Sequence, residues 1–179
     1  MDILEQIQIN LNANKDFTKD FKYKIFELVL LFNKKFPEVS LETFCSKIKT
    51  VTFEKVGIFE RRGTFIYDVK NNKVLYDAKR IKDSDYDIDN MLMKAIVAMI
   101  ASTDTYYGFN KDDKLSALNK AITEMIATSI VGNEGISDYE EEIIIANMLS
   151  MILGVDFVIE SYFKNDSDSI LKKLVELEV

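Results

Sequence analysis

Histidine is absent from this 179-residue chain, and cysteine occurs once, at Cys45. That removes most side-chain catalysis at once. Tetrahedral zinc sites draw on Cys and His, and Ser-His-Asp or Cys-His nucleophiles need an imidazole. Carboxylate, lysine, tyrosine or serine chemistry is left, with hard cations on Asp and Glu oxygens. Ser46-x-x-Lys49 and Ser169-x-x-Lys172 have the spacing of serine–lysine acyl transfer, but the S-D-N and K-T-G partners are missing. The acidic run 83–89 imitates a calcium loop. Its sixth position is Ile88 where a glycine is needed, and its twelfth is Lys94 where a bidentate Glu is needed. It reads instead as a helix start whose acids suit the macrodipole.

One lysine stands apart. Residues 91–101 contain good helix formers and a single polar residue, Lys94. A helix that is apolar all round is buried, so this one runs through the core and carries a lysine with it.

The other elements follow from periodicity. Residues 2–14 suggest a short, loosely docked helix. Apolar residues three and four apart predict an amphipathic helix over 17–36, stopped near Pro37. Ser40 is the expected N-cap of a short helix reaching Ile48. From residue 50 to 78 the period falls to two. About three strands are expected, ending in a hairpin at Asn71-Asn72. Helices follow over 113–131 and from a capping box at Ser137-x-x-Glu140 to Gly154. Residues 155–163 form another, and Asp166 or Ser167 caps the last. Glu140-Glu141-Glu142 fits a solvated first turn. Met91, Met93 and Met99, with Met148 and Met151, read as adaptable core, a groove for a partner helix being the alternative.

Lys and Arg number 23 and Asp and Glu 30, a net charge of −7. This argues against nucleic acid, whose binding rests on basic residues. No secretory signal is visible at the N-terminus, and the apolar runs are too short to span a membrane. A lone cysteine suits a reducing compartment. The expected location is therefore cytoplasmic, in one domain over 1–179, with N-terminal helices (1–49), a small sheet (50–82) and a helical part (83–179).

The order of several short motifs resembles a known family. Ala101-Ser102, Gly108-Phe109, Leu118-Asn119 with Thr123-Glu124, and Tyr162-Phe163 occur in sequence. They are similar to motifs of zincin metallopeptidases of the glutamate branch, in uncharacterised proteins of Gram-positive bacteria. The likeness covers about residues 50–179. It implies an α+β, zincin-like fold: a small, mostly antiparallel sheet on a mainly helical C-terminal half, with the former active-site helix at 90–102.

The same resemblance implies that the activity is lost. In H-E-x-x-H, two imidazoles on one helix face hold zinc and the glutamate serves as general base. The matching positions here hold Lys94, Ala95 and Ala98, and the third-ligand position holds Lys120. No catalytic residue, metal or cofactor is expected. Lys94 or Lys120 is expected to pair with Glu124 where the metal would sit; the alternative is a snorkelling Lys94 and a solvated Lys120. Tyr106, Tyr107 and Phe109 either wall a cleft beside this place or form the apolar lid of a core helix. The implied function is a non-catalytic pseudopeptidase that binds or scaffolds an unknown protein or peptide; an inherited groove would take an extended peptide by adding it to a sheet edge. The alternatives are an enzyme using carboxylate-bound Mg²⁺ or Mn²⁺ or a lysine, and a purely structural accessory subunit.

Overall fold

The computed structural model describes residues 2–56, 65–77, 79, 82, 87–111, 115–132 and 139–177. Among these it is mixed α+β and mostly helical, with eight helices and one three-stranded sheet.

Three helices come first: α1 (Ile3–Ala13), α2 (Lys19–Lys35) and α3 (Glu42–Ile48). In α2 the expected stripe faces inward through Ile25, Leu28, Val29 and Phe32, and Thr18 caps it by accepting from the Phe21 amide. Ser40 lies one residue before the α3 cap, where its hydroxyl accepts from the Glu42 amide. The loose docking expected of residues 2–14 is wrong. Ile7 and Leu11 are buried, and two asparagines one turn apart fasten α1 to α3. Asn10 donates to Cys45 O at 2.8 Å, and Asn14 donates to Ile48 O and Val51 O at 3.1 and 3.0 Å. Asparagines that look loop-like in sequence here satisfy backbone carbonyls that the end of α3 leaves open.

The sheet has strands β1 (Thr52–Val56), β2 (Phe65–Asp68) and β3 (Lys73–Asp77) in the order β1-β3-β2. The expected hairpin joins β2 to β3, with Asn72 at φ 50° accepting from the Tyr67 hydroxyl at 2.9 Å. Asparagine tolerates that left-handed conformation better than most residues. The mostly antiparallel sheet is not what forms, because β1 pairs with β3 in parallel. The chain reverses twice between these strands, so they run the same way. Val74 is fully buried on β3, the central strand, and the reversal places β1 beside it.

Next is α4 (Ile88–Ile100), capped by Asp87, which accepts from the Asp89 and Asn90 amides. This accords with the helix-start reading of 87–89; residues 83–86 lie outside the described part. Every residue from Asn90 to Ile100 is buried, as its composition requires. Helices α2, α3 and α5 and strand β2 surround it. Each large apolar side chain so enclosed contributes about 1.5–3 kcal/mol.

The rest is α5 (Ser116–Val131), α6 (Glu140–Leu153), α7 (Val155–Phe163) and α8 (Ser167–Glu176). Gly132 and Gly154 end α5 and α6 with positive φ. Asp166 caps α8 by accepting from the Ser169 amide. Ser137 of the proposed capping box lies outside the described residues.

Met148 and Met151 overturn the core reading. They are 57% and 86% exposed, whereas Met91, Met93 and Met99 are buried. Helix α6 turns Ala146, Ser150 and Leu153 inward instead, because small side chains let it approach α5 closely. No single described helix is long and apolar enough to cross a membrane; α6 and α7 reach that length together but are bent by 110°.

Candidate functional site

Helices α4 and α5 run antiparallel, pinned at one end by Asn90. Its side-chain amide donates to Thr128 Oγ1 at 3.1 Å and to Gly132 O at 2.7 Å. One turn further along α4, Lys94 meets the place on α5 one turn before Thr128, which is Glu124. Lys94 Nζ lies 3.7 Å from Glu124 Oε2, with side-chain exposures of 3% and 0%. Neither Glu124 oxygen has a hydrogen-bond partner among the described residues. The Lys94 ammonium also stands 5.9 Å from the Phe65 ring centre, so β2 closes the pair from the sheet side.

A second cluster abuts the pair along α5. Asn119 Oδ1 accepts from the Phe109 amide at 2.8 Å. Thr123 Oγ1 donates to Asn119 O at 2.7 Å and lies 2.7 Å from the Tyr162 hydroxyl. Tyr162 in turn meets Phe109 edge to face at 5.7 Å. Gly108 makes this possible. It sits at φ +54°, and a Cβ there would fall 2.3 Å from both Asn119 Oδ1 and Tyr162 Cε2. Only glycine fits such a place. The motif residues Gly108, Phe109, Asn119, Thr123, Glu124 and Tyr162, spread over more than fifty positions, thus meet in one region.

Beside them a cavity of about 210 Å³ opens between β2 and α5, lined by Tyr67, Tyr107, Lys120, Thr123 and Tyr139 among others. Lys120 does not reach Glu124 as its expected partner; its ammonium lies 5.6 Å over the Tyr139 ring at this cavity. Burial pushes the Tyr67 and Tyr107 phenols up to about 12, so both present neutral hydroxyls at neutral pH. Their rings are 6.3 Å apart. Tyr106 and Tyr107 also border a neighbouring 340 Å³ cavity against Asp68 and Lys70. Phe109, 2% exposed, lines neither and belongs to the apolar lid. Ala95 and Ala98 are buried and simply let neighbours pack close.

The four positions that the resemblance assigns to ligands and base do not fit a zinc ion. Two offer methyl groups and two offer ammonium groups, none of which supplies a lone pair to a dication. Among the described residues no group of three or more His, Cys, Asp or Glu side chains is placed to hold a metal. Neither serine–lysine pattern assembles a nucleophile: Ser46 Oγ donates to Thr43 O, and Ser169 Oγ donates to the Asp166 carboxylate.

Sequence reasoning missed Tyr67 and Tyr139 as cavity walls and the Thr123–Tyr162 contact. Tyr67 carried a signal in the alternation of β2, which buries Phe65 and Tyr67 and turns Ile66 out. Nothing local marked Tyr162 as the partner of Thr123. Comparison of the chain with known protein families, with curated proteins and with solved structures finds no match.

Proposed function

We propose that this chain is a non-catalytic, peptidase-like binding protein whose zincin-type metal site has been replaced by a buried lysine–glutamate pair. The observation that carries this reading is the Lys94–Glu124 contact. A carboxylate enclosed between two helices needs a positive partner, because an unpaired buried charge costs several kcal/mol. Where a metallopeptidase would supply a dication, Lys94 supplies an ammonium group from a former ligand position. The convergence of Gly108, Phe109, Asn119, Thr123 and Tyr162 on the neighbouring stretch of α5 adds support.

The cavity between β2 and α5 is then the inherited cleft. Strand β2 is an edge of the described sheet, and an extended peptide would add to it through main-chain hydrogen bonds. The Lys120 ammonium at the cavity favours an acidic side chain there.

A fourfold variant tests the ancestry: Lys94→His, Ala95→Glu, Ala98→His and Lys120→Glu. It should take up one equivalent of zinc with the wild-type fold intact. A folded variant with no zinc affinity would sink the assignment of these positions. Titration with capped acidic pentapeptides, followed by NMR, tests the cleft. Shifts should concentrate at Ile66, Tyr67, Tyr107 and Lys120 and weaken in Lys120→Ala.

A second reading, an enzyme using a lysine, has Lys120 as its candidate, since that lysine opens onto the cavity while Lys94 is enclosed. Borohydride trapping of an aldehyde on Lys120, absent in Lys120→Ala, would favour it.

A further inference from the structure

Helix α6 is apolar on both sides. Its inward side carries Ala146, Ser150 and Leu153, with Ile143 and Leu149 partly buried against the core, while Ile144, Ile145, Met148, Met151 and Ile152 face solvent at 47–86% exposure. Five large apolar residues in one helical stripe are more than a solvated face carries by chance. Their spacing of three and four is that of a seam between two packed helices.

We infer that this stripe is a two-fold interface through which two copies of the chain dimerise, α6 lying antiparallel on the partner's α6. Three observations favour a second copy as the occupant. The first is self-complementarity: a two-fold axis at Met148 sets Ile144 against the partner's Ile152 and Ile145 against the partner's Met151, so every apolar side chain is covered by another.

The second is charge. Glu140 and Glu141 stand on the first turn of α6, while its last turn, residues 150–153, holds no acid. Those ends are about 20 Å apart, and antiparallel pairing keeps the acidic turns of the two copies at opposite ends of the interface, where parallel pairing would set them against each other. The helix dipoles also oppose favourably in this arrangement. The same acidic turn and the net charge of −7 disfavour an anionic membrane surface.

The third is area. The stripe exposes on the order of 500 Å² per copy, and two copies reach the roughly 1,000 Å² at which specific interfaces begin. A reversible dimer is therefore expected rather than an obligate one.

Analytical ultracentrifugation of the full chain up to roughly 100 µM is the primary test, with a monomer–dimer equilibrium expected. Met148→Glu should weaken association at least tenfold and, at a concentration where the wild-type chain is monomeric, leave the unfolding temperature unchanged, because that side chain is in water in the monomer. Crosslinking supplies the register. In a Cys45→Ser background, Met148→Cys should oxidise to a covalent dimer, whereas Ala117→Cys on the exposed part of α5 should not. A wild-type chain that stays monomeric across this range would overturn the inference. So would a dimer that Met148→Glu leaves intact. Binding of the stripe to zwitterionic phosphatidylcholine vesicles without self-association would overturn it in favour of a lipid surface.

Discussion

Lys94 and Glu124 form an ion pair enclosed on all sides, 3.7 Å apart, between two antiparallel helices. Bringing two charges out of water is costly, and their attraction returns the cost only while both are present. Lys94→Met should therefore destabilise the fold by about 3–5 kcal/mol, since Glu124 is left alone. The double change Lys94→Met with Glu124→Leu should recover most of the loss. Urea denaturation of the two single variants and the double variant measures the coupling. Additive losses would mean that the pair does not act as a unit.

Gly108 tests the loop that docks on α5. Gly108→Ala combines a strained positive φ with a Cβ driven into Asn119 and Tyr162. A loss of about 2–4 kcal/mol is expected. Gly154→Ala is the control, since its φ is also positive but open space surrounds it. It should cost visibly less in the same thermal melt.

The contact between Thr123 and Tyr162 is a buried hydroxyl pair at 2.7 Å. Tyr162→Phe should cost about 1–2 kcal/mol by leaving Thr123 with one partner fewer. Burial holds the Tyr162 phenol well above its ordinary value. It should accordingly resist ionisation in an alkaline ultraviolet titration, with the difference between wild type and Tyr162→Phe appearing only at the alkaline end.

Asp166 sets an acid-sensitive element. Hydrogen bonds from the Ser169 hydroxyl and amide hold its carboxyl below the usual carboxylate value. A group lowered on folding stabilises fully above its unfolded value, about 4, and loses that contribution as the pH falls through the folded value. The stability gap between wild type and Asp166→Ala should be constant from neutral pH down to about 5 and shrink below about 4. A gap that does not change with pH would contradict the charged-cap account.

The cap of α4 offers a plain stability test. Asp87→Ala removes the acceptor for the Asp89 and Asn90 amides and should cost about 1 kcal/mol. Asp87→Asn should recover most of that, because an amide oxygen still accepts. Thermal melts of the two variants decide it.

Much of this molecule was readable from the chain alone, for reasons local to each segment. Burial of α4 follows from eleven consecutive positions with one polar residue. The Asn71-Asn72 turn, the end of α5 at Gly132 and the Asp166 cap depend on a few neighbouring residues and their backbone preferences. Absence of histidine settled at once which chemistries lack their groups. Tertiary structure decided what depends on direction and partnership. Only the packing of α4 against α5 chose Lys94 over Lys120 as the partner of Glu124, because both lysines match in type and only one is aimed inward. Only the order of strands made β1 parallel to β3. Beyond its acidic first turn, helix α6 is apolar nearly all round, so its composition carries no direction, and Ala146 and Ser150, with Leu153, took the inward side where α5 comes close. Periodicity reports that a face will be covered; which neighbour covers it is set by contacts between residues far apart in the chain.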